Sequence, residues 1–92
     1  MAKLRAEVTV HGRVQGVGFR FSTVSQAQHL GLTGWVRNTW EGAVEAVFEG
    51  EEKAVRAMVD WCRRGPTFAR VRDVDVRCAE ATGEFAGFHV TG

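Results

Sequence analysis

The stretch from residue 12 to residue 20 joins two different sequence patterns and organises the rest of the chain. It reads Gly12-Arg13-Val14-Gln15-Gly16-Val17-Gly18-Phe19-Arg20. Its three glycines let the backbone turn sharply and bring peptide N–H groups close together, because no Cβ blocks a positive φ. A helix beyond them adds unpaired N–H groups, and Arg20 adds a forked guanidinium that matches phosphate oxygens. The stretch is therefore typical of an anion cradle, above all for phosphate.

The pattern alone leaves a second interpretation of this stretch open. Its spacing matches neither the GxxxxGK[ST] P-loop nor the GxGxxG fingerprint, and glycines after a strand are also typical of a tight connection. Arg20 favours an anion site, because a cation at a helix N-terminus opposes the helix dipole. Arg13 and Arg37 are expected to be solvated.

Periodic patterns on both sides of the cradle predict a β-α-β-β-α-β order of elements. Alternating apolar residues predict a strand before it and further strands over 33–39, 44–49 and 74–78, with a short last strand at Phe88 and Val90. Val71 is out of phase with the fourth strand, which indicates a bulge. Two helices are predicted, and their expected buried residues are Phe21, Val24, Ala27 and Leu30 in the first and Val55, Met58, Val59 and Cys62 in the second.

This order predicts an α+β, ferredoxin-like split β-α-β fold, with two helices on one face of an antiparallel sheet and residues 1–92 in a single domain. A right-handed crossover makes the first two strands parallel, so their C-terminal ends lie at the same end of the sheet. Asn38 ends the second strand and is expected beside the cradle. Arg37 is out of phase with it and is expected on the opposite face.

Composition narrows the classes of function. Twelve basic and eleven acidic residues give a net charge of +1, which provides no broad basic surface for nucleic acid. Residues 1–5 are too polar for a signal peptide, and no apolar run is long enough to span a membrane. The three histidines and two cysteines lack metal-ligand spacing, so we expect a cytoplasmic protein without a metal. Both Cys62 and Cys78 fall on apolar periodic positions and are expected to be buried. The non-catalytic alternative is a ferredoxin-like RNA- or anion-binding module, although balanced charge and core-facing Val8 and Phe48 count against RNA.

Two segments together resemble the signatures of acylphosphatases. They are residues 12–20, quoted above, and Gly34-Trp35-Val36-Arg37-Asn38-Thr39-Trp40-Glu41-Gly42-Ala43-Val44-Glu45. Arg64-Gly65-Pro66 and the final Phe85-Ala86-Gly87-Phe88-His89-Val90 are similar to that family too. The resemblance covers nearly the whole chain.

The resemblance implies an enzyme that hydrolyses acyl phosphates to a carboxylate and inorganic phosphate without a cofactor. Arg20 and Asn38 are the implied catalytic residues: Arg20 binds the substrate phosphate and Asn38 orients the attacking water. Backbone amides of Gln15, Gly16, Val17, Gly18, Phe19 and Arg20 complete the implied phosphate site. A carboxylate leaves unprotonated, so the chemistry needs no general acid. Inorganic phosphate is expected as product and inhibitor, with a small-molecule acyl phosphate as substrate, a monomeric chain, and neither nucleic acid nor membrane as a partner.

Three points stay open from sequence. Trp40 and Glu41 stand where similar enzymes commonly carry smaller or more polar residues, which leaves the acyl-group preference undetermined. Trp40 either walls the substrate entrance or covers the sheet edge, and Thr39 either braces Asn38 or serves the turn.

A similar domain within a larger hydrogenase-maturation enzyme is a rival interpretation, but the absence of a downstream cysteine-rich segment favours a standalone enzyme. A metallochaperone would need paired cysteines, which this chain lacks.

Overall fold

The computed structural model describes residues 2–92, which form a five-stranded sheet and two helices. Its elements are β1 (Lys3–Arg13), α1 (Phe19–His29), β2 (Thr33–Asn38), β3 (Val44–Glu51), α2 (Glu52–Arg64), β4 (Arg70–Glu80) and β5 (Phe88–Val90). The sheet order is β4-β1-β3-β2-β5, and β3 runs antiparallel to both β1 and β2. The predicted α+β, ferredoxin-like fold and the parallel direction of β1 and β2 are confirmed.

The last strand makes the sheet mixed rather than wholly antiparallel. β5 pairs with β2 in the parallel direction, with Gly34 opposite Phe88 and Val36 opposite Val90. After β4 the chain crosses from one edge of the sheet to the other near the start of β2. It therefore runs along β2 from the same end.

The core lies between the helices and one face of the sheet. Val8, Val36 and Phe48 have side chains that are almost fully buried, and the ring of Phe48 stacks on that of Phe88 at 5.4 Å between centroids. The predicted stripe of α2 is confirmed, because Val55, Met58, Val59 and Cys62 are all buried. The alternation of β1 places its polar residues on the opposite, helix-free face of the sheet.

The predicted buried face of α1 is wrong at its first residue. Phe21 is 80% exposed, and the buried residues of this helix are Phe19, Thr23 and Ala27. Residues three apart drift around a helix by about 60° per step, whereas residues four apart stay on one face. Thr23 is accommodated in the core because its hydroxyl donates to the carbonyl oxygen of Phe19 at 2.8 Å.

The predicted burial of the two cysteines is confirmed for Cys62 and wrong for Cys78, which is exposed. β4 is an edge strand, and its burial pattern contains no fully buried residue, so alternation there does not enclose the apolar side chains. Cys62 lies in the core, and burial raises the pKa of its thiol to about 12. That thiol is therefore held in the neutral form.

The bulge predicted near Val71 is confirmed and involves a glycine of the signature stretch. Val71 pairs with Gly12 and Asp73 with His11, so Arg72 is the extra residue on β4. Gly12 has φ +128°, and a Cβ on it would lie 2.2 Å from the carbonyl oxygen of Arg70. Gly12 thus belongs to β1 and permits close contact with β4, and the connection to α1 is shorter than the sequence pattern predicted.

An ion pair with a buried carboxylate lies on the helix-free face, at the end of β1 away from Gly12, and holds the segment between β4 and β5 in place. The side chain of Glu49 is 3% exposed and accepts hydrogen bonds from Arg5 at 2.9 Å and from the backbone N–H groups of Thr82 and Gly83 at 3.0 Å. Burial opposes ionisation of this carboxyl, but the hydrogen bonds from Thr82, Arg5 and Gly83 outweigh it and lower its pKa from 4.5 to about 2. The ionised carboxylate therefore holds residues 82–83 over the sheet.

We expect Glu49 to make folding stability depend on acid pH. Its folded-state pKa lies below the ordinary value, so its contribution is present above about pH 4.5 and is lost as the pH falls toward 2. Glu49→Gln should lower the free energy of unfolding at pH 7 by about 2–3 kcal/mol and flatten its pH dependence between pH 5 and 2. Urea denaturation across this range measures both effects.

Glu51→Gln is the matched control, because the one side-chain interaction of Glu51 within residues 2–92 is a surface pair with Lys3 at 3.3 Å. It should change the free energy of unfolding by less than about 1 kcal/mol. Equal effects of the two substitutions would contradict the special role of Glu49.

Candidate active site

The glycine loop, residues 14–18, connects the end of β1 to the start of α1. Gly16 has φ +74° and Gly18 has φ +78°, a left-handed conformation that other residues rarely adopt. No heavy atom outside the neighbouring residues lies within 4 Å of the position that a Cβ would take on either glycine. The glycines are therefore required by backbone conformation rather than by tight packing.

The peptide N–H groups of this loop and of the first two residues of α1 are available to a ligand. None of the N–H groups of residues 15–20 donates a hydrogen bond to an acceptor within residues 2–92. Gly18 is the N-cap of α1, with no side-chain hydrogen bond to the helix end, and the first turn of this helix holds no acidic residue. Consecutive free N–H groups at the positive end of a helix attract an anion.

Arg20 lies in the first turn of α1 and is exposed to solvent. It forms no ion pair within residues 2–92, whereas Arg5, Arg37, Arg56 and Arg77 all do. An unpaired cation at this end of a helix is unfavourable without an anion beside it. The position of Arg20 is therefore explained best by a negatively charged ligand.

Asn38 is the last residue of β2, at the same end of the sheet where the glycine loop leaves β1, as the predicted topology requires. A cavity of about 220 Å³ brings the two candidate residues together, and it is lined by Val14, Gly16, Gly18, Phe19, Arg20, Phe21 and Asn38. The side-chain oxygen of Asn38 is buried and has no hydrogen-bond partner within residues 2–92. A buried amide oxygen without a partner costs about 1–3 kcal/mol, which indicates a position kept for a ligand or a water.

The neighbours of Asn38 take other roles. Arg37 points to the opposite face, as expected, where it binds Glu45 at 2.7 Å. The hydroxyl of Thr39 accepts a hydrogen bond from the N–H of Ala43 at 3.1 Å, which supports the interpretation that it serves the turn. Trp40 is fully exposed, so it does not cover the sheet edge.

Sequence reasoning missed two features of this site. The first is the side chain of Gln15, whose amide donates to the carbonyl oxygens of Thr39 and Ala43, each at 2.8 Å. These bonds fasten the glycine loop to the turn that follows Asn38. The second is Phe21, which lines the cavity instead of the core. The sequence signal that could have placed Phe21 correctly is the spacing of the helix: a buried face repeats every three to four residues, and a strict repeat of three does not follow one face.

A larger cavity, of about 670 Å³, lies on the helix-free face of the sheet and suits an anion less well. Its charged side chains neutralise one another, as in the pairs of Arg5 with Glu7 and of Arg37 with Glu45. Among residues 2–92, no three His, Cys, Asp or Glu side chains cluster as metal ligands would, and neither helix is long and apolar enough to span a membrane.

Comparison with known proteins finds matches over nearly the whole chain. A family model described as acylphosphatase matches residues 6–90. The acylphosphatase of Roseiflexus sp. (strain RS-1) is 54% identical over 90 residues, which cover 98% of this chain and 97% of that protein.

Solved structures show the same fold. The crystal structure of acylphosphatase from Bacillus subtilis has a TM-score of 0.93 and 35% identity, covering 97% of this chain and 99% of that one. Full-length HypF contains a similar region, with a TM-score of 0.85 and 28% identity over 98% of this chain and 12% of its own length. The sequence and the fold agree: this chain belongs to the acylphosphatase family and hydrolyses acyl phosphates.

Proposed function

We propose that the glycine loop and Arg20 hold the phosphoryl group of the substrate and that Asn38 orients the water that attacks it. The observation that supports this proposal is the shared cavity, which is lined by Gly16, Gly18, Arg20 and Asn38. Within residues 2–92 the loop N–H groups, the Arg20 guanidinium and the Asn38 amide oxygen all lack partners. The N–H groups of Gln15, Gly16, Val17, Gly18, Phe19 and Arg20 bind the phosphoryl oxygens.

Each group has a distinct task in the reaction. The N–H groups and the Arg20 guanidinium stabilise the negative charge on the phosphoryl oxygens, which is the main requirement of phosphoryl transfer. The buried oxygen of Asn38 accepts a hydrogen bond from the water and fixes its direction of attack on phosphorus. The bond between phosphorus and the acyl oxygen breaks, and the carboxylate leaves without needing a proton.

The proposal extends to the partners of the chain. Inorganic phosphate retains the oxygens that the loop binds, so it acts as a competitive inhibitor. Nucleic acid is not a partner, because the arginines Arg5 and Arg37 of the helix-free face are neutralised by Glu49 and Glu45. The chain works as a monomer in the cytoplasm.

Arg20→Gln should lower kcat/KM for benzoyl phosphate roughly a hundredfold, because it removes a charged donor from both the bound substrate and the transition state. KM and the inhibition constant of phosphate should rise together as kcat falls. Steady-state kinetics with EDTA present measures these constants.

The control for Arg20 is Arg77→Gln, which removes an exposed arginine on β4 whose ion pair with Glu7 is long, at 3.9 Å. It should leave the kinetics within about twofold of the unaltered chain. Unchanged phosphate inhibition in Arg20→Gln would refute the binding role of Arg20.

Asn38→Ala should lower kcat roughly a hundredfold while leaving phosphate inhibition nearly unchanged, because the amide contacts the water and not the phosphate. It should not lower the free energy of unfolding, since the lost oxygen has no partner within residues 2–92. Kinetics and urea denaturation of the same preparation test both expectations.

Thr39→Val provides a contrast on the neighbouring residue. It removes the hydroxyl that accepts from Ala43, so it should lower the free energy of unfolding by about 1 kcal/mol. Full turnover in Asn38→Ala would eliminate the water-orienting role.

A further inference from the structure

A second cavity borders the glycine loop, and its charge is not explained by the phosphate site. It has a volume of about 500 Å³ and is lined by Arg13, Gly16, Val17, Phe68 and Arg70. Gly16 also lines the cavity that holds Arg20 and Asn38. One residue of the loop therefore separates the two cavities, and a ligand seated at the loop has this second cavity beside it.

The two arginines that line this cavity have no counter-charge within residues 2–92. Arg13 and Arg70 are register partners across β1 and β4, so their side chains lie on the same face of the sheet. Neither forms an ion pair within residues 2–92, and the lining of the cavity includes no carboxylate. In the part of the chain that the structure describes, the one hydrogen bond made by either guanidinium is from Arg70 to the carbonyl oxygen of Ala69, at 3.3 Å.

This arrangement differs from that of three other arginines in the sheet. Arg5, Arg37 and Arg77 each lie beside a glutamate. Like charges at directly opposed strand positions are destabilising, and an anion between them removes that cost. The pair is therefore suited to a carboxylate or phosphate group.

Phe68 adds an apolar wall to the same cavity. It is 76% exposed, which is unusual for a side chain of this size and leaves its ring free to contact a ligand. The cavity thus offers an apolar surface together with two cations, and it suits a carbon skeleton that carries an anionic group.

We propose that Arg13 and Arg70 form a subsite for an anionic group at the far end of the acyl moiety, so that the preferred substrates are acyl phosphates with a second negative charge. The proposal rests on the proposed function, because it places the phosphoryl group of the same substrate in the glycine loop. The subsite acts on binding and specificity, and the reacting bonds are unchanged.

The test compares 4-carboxybenzoyl phosphate with benzoyl phosphate, which differ only in the distant carboxylate. The ratio of their kcat/KM values should fall about tenfold in the double variant Arg13→Gln/Arg70→Gln, mainly through KM of the carboxylated substrate. Comparing ratios between variants cancels the intrinsic reactivity of the two substrates. Arg77→Gln, on the same strand as Arg70, should leave the ratio unchanged, and an unchanged ratio in the double variant would overturn the subsite.

Binding of non-hydrolysable analogues separates this proposal from the catalytic one. The unaltered chain should bind 4-carboxybenzylphosphonate about tenfold more tightly than benzylphosphonate, and the double variant should bind both equally. Equal affinities in the unaltered chain would overturn the subsite whatever the rate of hydrolysis. The two proposals can also fail separately. If the unaltered chain prefers the carboxylated phosphonate but the Asn38→Ala variant keeps full turnover, the subsite is upheld and the catalytic role of Asn38 is refuted.

Discussion

Two hydrogen bonds from the side chain of Gln15 determine how the parts of this site fit together. They join the glycine loop to the carbonyl oxygens of Thr39 and Ala43, at the two ends of the turn between β2 and β3. A loop whose own N–H groups are unpaired has few internal contacts to fix its shape, so its conformation depends on such bonds. Because the turn begins directly after Asn38, the same bonds set the loop against the residue that is proposed to hold the water. The arrangement is thus formed before substrate arrives, which is the condition for efficient electrostatic stabilisation.

The sheet topology supplies the other half of this constraint. β1 and β2 are separated by β3 yet run in the same direction, so the glycine loop and Asn38 lie at the same end of the sheet. The bulge at Gly12 and the ion pair at Glu49 lie in the same sheet. They stabilise parts of it that contribute no side chain to the cavity shared by Arg20 and Asn38. Such a division is common in enzymes, where a rigid core positions reactive groups on short loops.

Much of this arrangement follows from the sequence, because it depends on local patterns and on topological rules. Alternation in β1 and β3 determines which face is buried, and the opposite phases of Arg37 and Asn38 place them on opposite faces. The positive φ of Gly16 and Gly18 agrees with a glycine-rich turn into a helix. The order of strands and helices then brings the loop and Asn38 together without any knowledge of side-chain contacts.

The features that sequence analysis missed depend on contacts between distant residues. Gln15 and Glu49 find their partners 24 or more positions away, and no local pattern encodes such pairs. Cys78 follows the alternation of its strand, but its exposure depends on where the edge of the sheet lies. Phe21 is apolar at a helical spacing, yet the backbone orients it toward the cavity. In each case tertiary position overrides the local signal.

The most direct test of the phosphate cradle is a titration of the ¹⁵N-labelled chain with inorganic phosphate, followed by NMR of its backbone amides. Direct hydrogen bonds to an anion should shift the signals of residues 15–20 most, with one common dissociation constant and one phosphate per chain. The Nε–H signal of Arg20 should move with them. Shifts confined to Arg13 and Arg70, with the loop amides unaffected, would contradict the central claim that this loop holds the phosphoryl group.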